Sequence, residues 1–158
     1  MAGPVRVRVK VRDVDKGYRD TMRRIDTAKS ATIEVGIMGD KGGAAKGALT
    51  VLDVATFHEF GMGVPERSFI RGWYDAFHPT AQKQISAMLQ AVVKGTRTKS
   101  QAMELLGVRW VGEIQKYIVA GTNFQPLARV TILRKGSSAP LIDTGQLKAS
   151  VTYRVVVK

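Results

Sequence analysis

Apolar and basic residues alternate without a break near the start of the chain, over residues 5–12 (VRVRVKVR). A period of two is typical of a strand with one buried and one exposed face, so a β-strand is predicted here. Its outward side chains recur about every 7 Å, close to the phosphate spacing of one nucleic-acid strand. These side chains could contact DNA or an acidic partner, or they could simply protect an edge strand from unwanted pairing. The basic residues are Arg6, Arg8, Lys10 and Arg12.

Helical spacing of apolar residues dominates the middle of the chain. Apolar positions three and four apart define one face of a helix, and five such segments follow one another. Asp13 or Asp15 can cap the first helix and Thr50 the second, because their side-chain oxygens accept backbone N–H groups at a helix start. Thr98 and Gln101 match a capping box for the longest helix. The predicted helices span residues 14–28, 49–60, 67–77, 79–94 (opened by Pro79) and about 98–119.

Alternation returns at residues 31–38, 128–134 and 151–157, and each segment predicts another strand. A short corner joins the last two strands, so we expect them to form an antiparallel pair. Together with the first strand, this order predicts a single α+β domain over residues 1–158. Its expected architecture is a small, mostly antiparallel four-stranded sheet with several helices packed against it.

A glycine- and lysine-rich segment, residues 39–48 (GDKGGAAKGA), separates the second strand from the second helix. It looks superficially like a phosphate-binding loop. The Gly-x-x-x-x-Gly-Lys-Ser/Thr spacing of such a loop is missing, because Lys46 is followed by Gly47. We therefore predict a flexible surface loop that contacts a partner through Lys41 and Lys46.

The corner that leads into the last strand spans residues 134–150 (RKGSSAPLIDTGQLKAS). Asp143 is predicted to cap the short segment after it, and Gly145 gives the backbone the freedom that a tight corner needs. Leu141 and Leu147 are apolar anchors for the corner. The predicted structural residues of this corner are Pro140, Leu141, Asp143, Thr144, Gly145 and Leu147.

This corner and an earlier segment, residues 54–71 (VATFHEFGMGVPERSFIR), together carry a family resemblance. The earlier segment reads A-x-x-H-E-F-G followed by P-x-R-x-F-I-R, and the later one contains R-K-G-S and P-L-I-D-T-G-Q-L. In this order the two motifs resemble those of the neck and tail-completion proteins of tailed bacteriophages, over residues 31 to 157. The chain departs from that family at residues 123–127 (NFQPL), where a Pro-Pro-Asn-like turn is common.

The resemblance implies a structural virion protein, a ring subunit of the neck (collar) or a tail-completion protein. Such a subunit would join the portal–adaptor complex to the tail around the DNA channel, after assembly in the host cytoplasm. Its implied partners are further copies of itself, other neck, portal-adaptor and tail proteins, and the genomic DNA in the channel. A hexamer fits the sixfold symmetry that the resemblance implies for tails, and a dodecamer is the next expectation.

The earlier motif supplies the predicted subunit contacts. Arg67 and Arg71 are four residues apart on a predicted helix, so they would share a face and could clamp a carboxylate on a neighbouring subunit. Within the chain, Glu59 could pair with either arginine. Phe69 and Trp73 would lie on the adjacent face, and aromatic residues of this kind serve as interface anchors or as core.

Composition adds one alternative to this picture. The 158 residues carry 25 lysines and arginines against 13 acidic residues, a net charge of +12, which favours an anionic partner. A free-standing basic nucleic-acid-binding protein is therefore the second functional hypothesis, with duplex binding that weakens steeply as salt rises. The chain has no cysteine, no apolar run of membrane-spanning length and no signal-peptide pattern, so we expect no membrane partner.

Two motifs that suggest catalysis are incomplete. His58 and Glu59 look like the start of an H-E-x-x-H zinc motif, but Met62 stands in the place of the second histidine and the chain has only two histidines. The Asp-Thr-Gly triplet ending at Gly145 resembles that of aspartic proteases, but only 13 residues follow it, too few for the rest of such an enzyme. No serine lies in a G-x-S-x-G elbow. We therefore predict no enzymatic activity, no metal and no cofactor.

Overall fold

The computed structural model describes residues 14–28, 31–39, 45–46 and 49–157. Outside them lie the predicted contacts Arg6, Arg8, Lys10, Arg12 and Lys41. The helices are α1 (Tyr18–Ala28), α2 (Val51–Phe60), α3 (Arg71–Val93), α4 (Lys99–Ala120), α5 (Arg129–Lys135) and α6 (Gln146–Ala149), and the strands are β1 (Ala31–Ile37), β2 (Ala45–Lys46), β3 (Leu49–Thr50) and β4 (Val151–Val157).

The strands form two separate two-stranded ribbons in the described part of the chain. β1 pairs antiparallel with β4, with Ala31 opposite Val157. β2 pairs with β3, with Lys46 opposite Leu49, so β2 lies inside the predicted flexible loop 39–48 and β3 lies at the start of the predicted helix 49–60. The predicted four-stranded sheet is therefore wrong, although the fold remains α+β.

Residues 128–134 were predicted as a strand that pairs with β4, and they instead form helix α5. Gly136, with φ of 70°, ends this helix, and its N–H donates to the Ile132 carbonyl at 2.8 Å. Alternation of apolar and polar residues indicates a strand only when the apolar face is buried, and in this segment it is not. Here Val130 and Leu133 are 77% and 76% exposed, and no residue of α5 is buried. The partner of β4 is thus the distant β1.

The helices predicted over residues 67–77 and 79–94 are a single helix, α3. Pro79 was expected to open a helix, but it lies inside one, where it has no N–H to donate to the Asp75 carbonyl. The Nδ1 atom of His78 lies 3.1 Å from that carbonyl oxygen. In the tautomer that carries the proton on Nδ1, the ring donates the hydrogen bond that the proline lacks, and the helix continues.

Local capping signals are confirmed at three helices. The side chains of Thr50 and Asp53 bond reciprocally to the backbone at the start of α2, and those of Thr98 and Gln101 do the same at the start of α4. At α1 the cap is Asp15, whose carboxylate accepts hydrogen bonds from backbone N–H groups of the first turn. These three helix starts follow from side chains that are close in sequence.

The core is built around helix α4, which packs against α3 and against the β1–β4 ribbon. Ile114 and Ile118 of α4 are fully buried, and they belong to one apolar cluster with Phe69, Trp73 and Val151. This cluster joins α4, the start of α3 and the start of β4. No helix in the described part of the chain combines the length and apolar character needed to cross a bilayer.

Helix α4 approaches the β1–β4 ribbon closely at Gly107. A Cβ atom placed there would lie 2.2 Å from Cδ2 and 2.6 Å from Cγ of Tyr153. The hydroxyl of Tyr153 donates to the Glu104 carboxylate at 2.6 Å, and this hydrogen bond raises the pKa of the tyrosine. The ring is therefore tied to α4 one turn before the glycine, over a position where any side chain would collide with it.

Candidate functional site

The first motif is organised by the Glu59 side chain, which lies at the N-terminal end of α3. Its carboxylate accepts hydrogen bonds from the backbone N–H groups of Phe69 (2.8 Å), Ile70 (3.1 Å) and Arg71 (2.9 Å). The Ser68 hydroxyl donates to it as well, at 2.7 Å. Such N–H groups are otherwise unpaired at a helix start, and Ile70 at the cap position offers no side-chain bond. Glu59, only 7% exposed, is therefore a cap that α2 supplies to α3.

Arg71 covers this carboxylate from the surface. Its Nε lies 3.3 Å from Glu59 Oε1, and its Nη2 donates to the Glu59 carbonyl and, at 2.9 Å, to the Glu66 carboxylate. Its guanidinium lies over the Phe60 ring, 4.9 Å from the ring centroid. Of the two pairings considered for Glu59, the one with Arg71 is present. Arg71 therefore binds carboxylates of its own chain, whereas the sequence predicted that it would bind a carboxylate of a neighbouring subunit.

Arg67 does not share a helix face with Arg71, because it lies before the start of α3. It is 4% exposed, and this burial lowers its pKa. Its Nε donates to the Gln125 carbonyl at 3.0 Å and its Nη2 to the Pro126 carbonyl at 3.4 Å. Arg67 therefore fastens the segment before α3 to the turn after α4, rather than presenting a clamp to a neighbouring subunit.

The two aromatic residues predicted as interface anchors or core lie in the core. Phe69 is 1% exposed and Trp73 is 7% exposed. Trp73 stacks on Phe77, with 5.2 Å between the ring centroids. In this conformation of the chain neither residue offers a surface to a partner, so their role here is packing.

The second motif turns the chain from α5 into α6. The residue at the cap position of α6 is Gly145, with φ of 78°, so the prediction that Asp143 caps this helix is wrong. Glycine is favoured there because a left-handed backbone is strained for other residues. Thr144 makes two long contacts with Gln146: its hydroxyl lies 3.5 Å from the Gln146 N–H and donates to the Gln146 side-chain oxygen at 3.4 Å. Leu147 is buried in the core, as the sequence predicted.

The corner before α6 is rigidly packed. Leu141 has a φ of 58°, which non-glycine residues rarely adopt. Its side chain packs against the core cluster, which holds this backbone in place. Beside it, Pro140 Cδ lies in van der Waals range of Gly121 at the end of α4, 3.4 Å from where a Cβ would stand. Strained backbone of this kind persists where packing on both sides determines it.

The two motifs meet in space at one cleft of about 920 Å³. Val54, His58 and Arg67 line it from residues 54–71, and eight residues of the corner 134–150 line it from the other side. Its third wall is the turn that accepts the hydrogen bonds of Arg67. Two segments far apart in sequence therefore build a common cavity, which we take as the candidate functional site.

The cleft carries more positive than negative charge. Arg67, Arg134 and Lys135 line it, against one acidic lining residue, Asp143. Lys135 Nζ donates to the Ala139 carbonyl at 2.6 Å. Burial lowers the pKa of Lys135, the Asp143 carboxylate raises it, and Arg67 lowers it further. The electrostatic potential of the cleft is therefore positive.

His58 is a neutral residue in this basic cleft. Burial lowers its pKa, and the charges of Arg67 and Lys135 lower it further. Its Nδ1 atom is buried, and no described residue forms a hydrogen bond with it. Sequence reasoning considered His58 as the start of a zinc motif or as a helix-face residue with a local hydrogen bond, and did not connect it with the basic corner, because nothing local links the two segments. Lys135 was missed as a site residue for the same reason.

We expect the free energy of unfolding to fall as the pH is lowered from 7 to 5, and His58→Gln to reduce this fall. The pKa of His58 in the folded chain lies below its ordinary value of 6.5, so below pH 6.5 the unfolded chain binds the proton more readily. The stabilisation that comes from keeping the His58 ring neutral is therefore fully present above pH 6.5. As the pH falls below 6.5, the free energy of unfolding decreases by up to about 1.4 kcal/mol per pH unit. Urea unfolding at three pH values measures it.

His78→Gln is the matched control for this prediction, since His78 is exposed on α3 and lies outside the cleft. The His78→Gln protein should keep the pH dependence of the original protein. Equal pH dependence in the His58→Gln protein and the original would contradict a neutral, partly buried His58.

The described residues contain no group of three or more His, Asp or Glu side chains that is placed to bind a metal ion. His58 and Glu59, the first two residues of the apparent zinc motif, lie in different environments. Glu59 is occupied by the N-terminus of α3, whereas His58 faces the cleft.

Comparison with protein-family models, curated proteins and solved structures found no match to this chain.

Proposed function

We propose that this chain is a structural ring subunit of the head–tail junction of a tailed bacteriophage, a neck or tail-completion protein. The observation that carries the proposal is the meeting of the two motifs, since residues 54–71 and 134–150 line one cleft. A chance likeness of two short stretches would not require them to meet in space, whereas a shared fold would. In this role the subunit acts in the virion, with copies of itself, portal-adaptor and tail proteins around the DNA.

The polar side chains of the motifs support a structural rather than a catalytic role. Glu59 binds three backbone N–H groups, Arg67 binds backbone carbonyls, and Lys135 binds the Ala139 carbonyl. A catalytic acid or base must instead reach an atom of its substrate. Side chains used in this way fix the shape of a surface, which is what a ring subunit needs for repeated contacts.

A stop codon in the gene of the phage that encodes this chain tests the proposal. The lysate should then contain DNA-filled heads and separate tails by electron microscopy, with few joined particles. Purified protein added to that lysate should restore infectious particles, and an unrelated protein of similar positive charge should not. Normal numbers of joined particles without this protein would contradict a role at the junction.

The net charge of +12 supports the second hypothesis, a free-standing nucleic-acid-binding protein. Light scattering at about 150 mM salt, with and without duplex DNA, separates the two. A discrete ring, six copies by expectation, or a monomer indifferent to DNA favours the junction subunit. A monomer or dimer that binds duplex DNA tightly and releases it at high salt favours the second hypothesis.

A further inference from the structure

We propose that the cleft between α2, the turn at residues 125–128, α5 and residues 141–147 binds an extended acidic segment of a partner protein. A carboxylate of that segment would lie among the basic residues of the cleft, and its aliphatic side chains would contact the apolar wall. Such a peptide could bind here whatever particle or complex the chain belongs to. The proposed peptide site can therefore be tested independently of the proposed role at the head–tail junction.

The size and the apolar wall of the cleft suit a peptide. Its volume of about 920 Å³ is in the range of cavities that bind ligands. Val51 and Leu147, both buried, and Val54 give it an aliphatic lining. Among the described lining residues there is no Phe, Tyr or Trp. Single-stranded nucleic acids stack their bases on such rings, so aliphatic peptide side chains fit this wall better than bases do.

The charge of the cleft selects an acidic partner. The lining includes Arg67, Arg134 and Lys135 but only one carboxylate, that of Asp143. The positive groups act on each other, since Arg67 lowers the pKa of Lys135 and both lower the pKa of His58. A bound anion would relieve this repulsion, whereas a basic or neutral segment would not.

His58 supplies a place for one specific hydrogen bond. Buried polar atoms almost always have a partner, so a buried Nδ1 atom with none among the described residues requires an explanation. Nδ1 is enclosed in this conformation, so the ring must turn toward the cleft before this atom, when protonated, donates a hydrogen bond to a carboxylate or backbone carbonyl of the bound segment. The strained backbone at Leu141, in the same lining, also fits a built binding site.

The probe is a seven-residue peptide with blocked ends and alternating leucine and aspartate, and its control has asparagine for each aspartate. Calorimetric titration at about 50 mM salt should give at least tenfold tighter binding of the acidic peptide. The ring signals of His58 in NMR spectra should shift on binding, and those of His78 should stay in place. Equal binding of the two peptides, or unchanged His58 signals, would overturn the proposal.

Arg134→Gln tests the charge without touching a buried group, because Arg134 is exposed at the cleft. This change should weaken binding of the acidic peptide about two- to fivefold. Arg97→Gln, which removes an exposed arginine outside the cleft, should leave it unchanged. Equal weakening by both changes would show a non-specific charge effect and overturn the site. If a single-stranded oligonucleotide displaces the peptide and shifts the NMR signals of the His58 ring, the cleft binds nucleic acid and the peptide proposal is wrong.

Discussion

Replacing Glu59 with alanine should lower the free energy of unfolding by about 3 kcal/mol or more. The change leaves the backbone N–H groups of Phe69, Ile70 and Arg71 without their acceptor at a largely buried helix start. Hydrogen bonds to charged groups are worth about 1.5–3 kcal/mol each, and donors left unsatisfied in the interior add a cost. Glu59→Gln should cost less, since its amide keeps one acceptor oxygen. Urea unfolding followed by circular dichroism measures each variant.

Glu66→Ala is the matched control for Glu59→Ala. Glu66 also pairs with Arg71, at 2.9 Å, but both side chains of this pair are about half exposed. An exposed pair contributes about 0–1 kcal/mol, so Glu66→Ala should be nearly neutral. Similar losses for the two changes would mean that the ion pair with Arg71, rather than the capping of α3, accounts for the stability that Glu59 provides.

Gly107→Ala should destabilise the protein by about 1–3 kcal/mol, although alanine is the better helix former. The added Cβ would stand 2.2 Å from Tyr153 Cδ2, so the ring must move and lose packing or its hydrogen bond with Glu104. The collision involves Cγ as well, so a small rotation of the ring tip does not relieve it. Thermal unfolding of the variant measures the loss.

Gly112→Ala, in the same helix, should have the opposite sign. Apart from its chain neighbours and the backbone of its own helix, no atom of the described residues lies within 4 Å of a Cβ placed at Gly112, so only the helix propensity changes, by up to about 1 kcal/mol in favour of alanine. In the background of Tyr153→Ala, the change Gly107→Ala should become stabilising by up to about 1 kcal/mol, because the colliding ring is gone and the helix propensity of alanine is left. A stabilising Gly107→Ala in the original protein would contradict the close approach of α4 and β4.

Helix starts could be predicted from the sequence because their chemistry is local. Thr50 and Thr98 cap helices through residues three positions later, and Asp15 through residues two and three positions later. The same is true of Gly145, whose left-handed backbone belongs to the predicted tight corner. Interactions that span a few residues leave a readable pattern, whatever the rest of the fold does.

Strand pairing could not be predicted in this way. The sequence favoured residues 128–134 as the partner of β4 because they are close along the chain, and it treated alternation there as a sign of burial. Val130 and Leu133 are instead exposed on α5, and β1 pairs with β4. Pairing of distant strands depends on which surfaces the helices leave open, and the local spacing of apolar residues carries no information about those surfaces.

The candidate site was predictable only in part. The two motifs that line the cleft were recognised, but the roles of their residues were not. Glu59 binds N–H groups ten to twelve positions later, across a loop, and Arg67 binds carbonyls nearly sixty positions later. Side chains that bond backbone groups at such separations look like surface charges in a sequence. Their burial became visible only with the fold.

The pairing of β1 with β4 makes the order of synthesis important for this chain. Glu34 and Arg154, which form an ion pair across the ribbon, are 120 residues apart. Ribosomes add about 5–20 residues per second, so β1 waits roughly 10 s for its partner strand. Gly107 is made only 46 residues before Tyr153, so for the last few seconds of that time the face of α4 around Gly107 lacks the cover that Tyr153 later gives it. A nascent chain is thus more open to aggregation than the finished protein, and slow translation of β4 would lengthen that exposure.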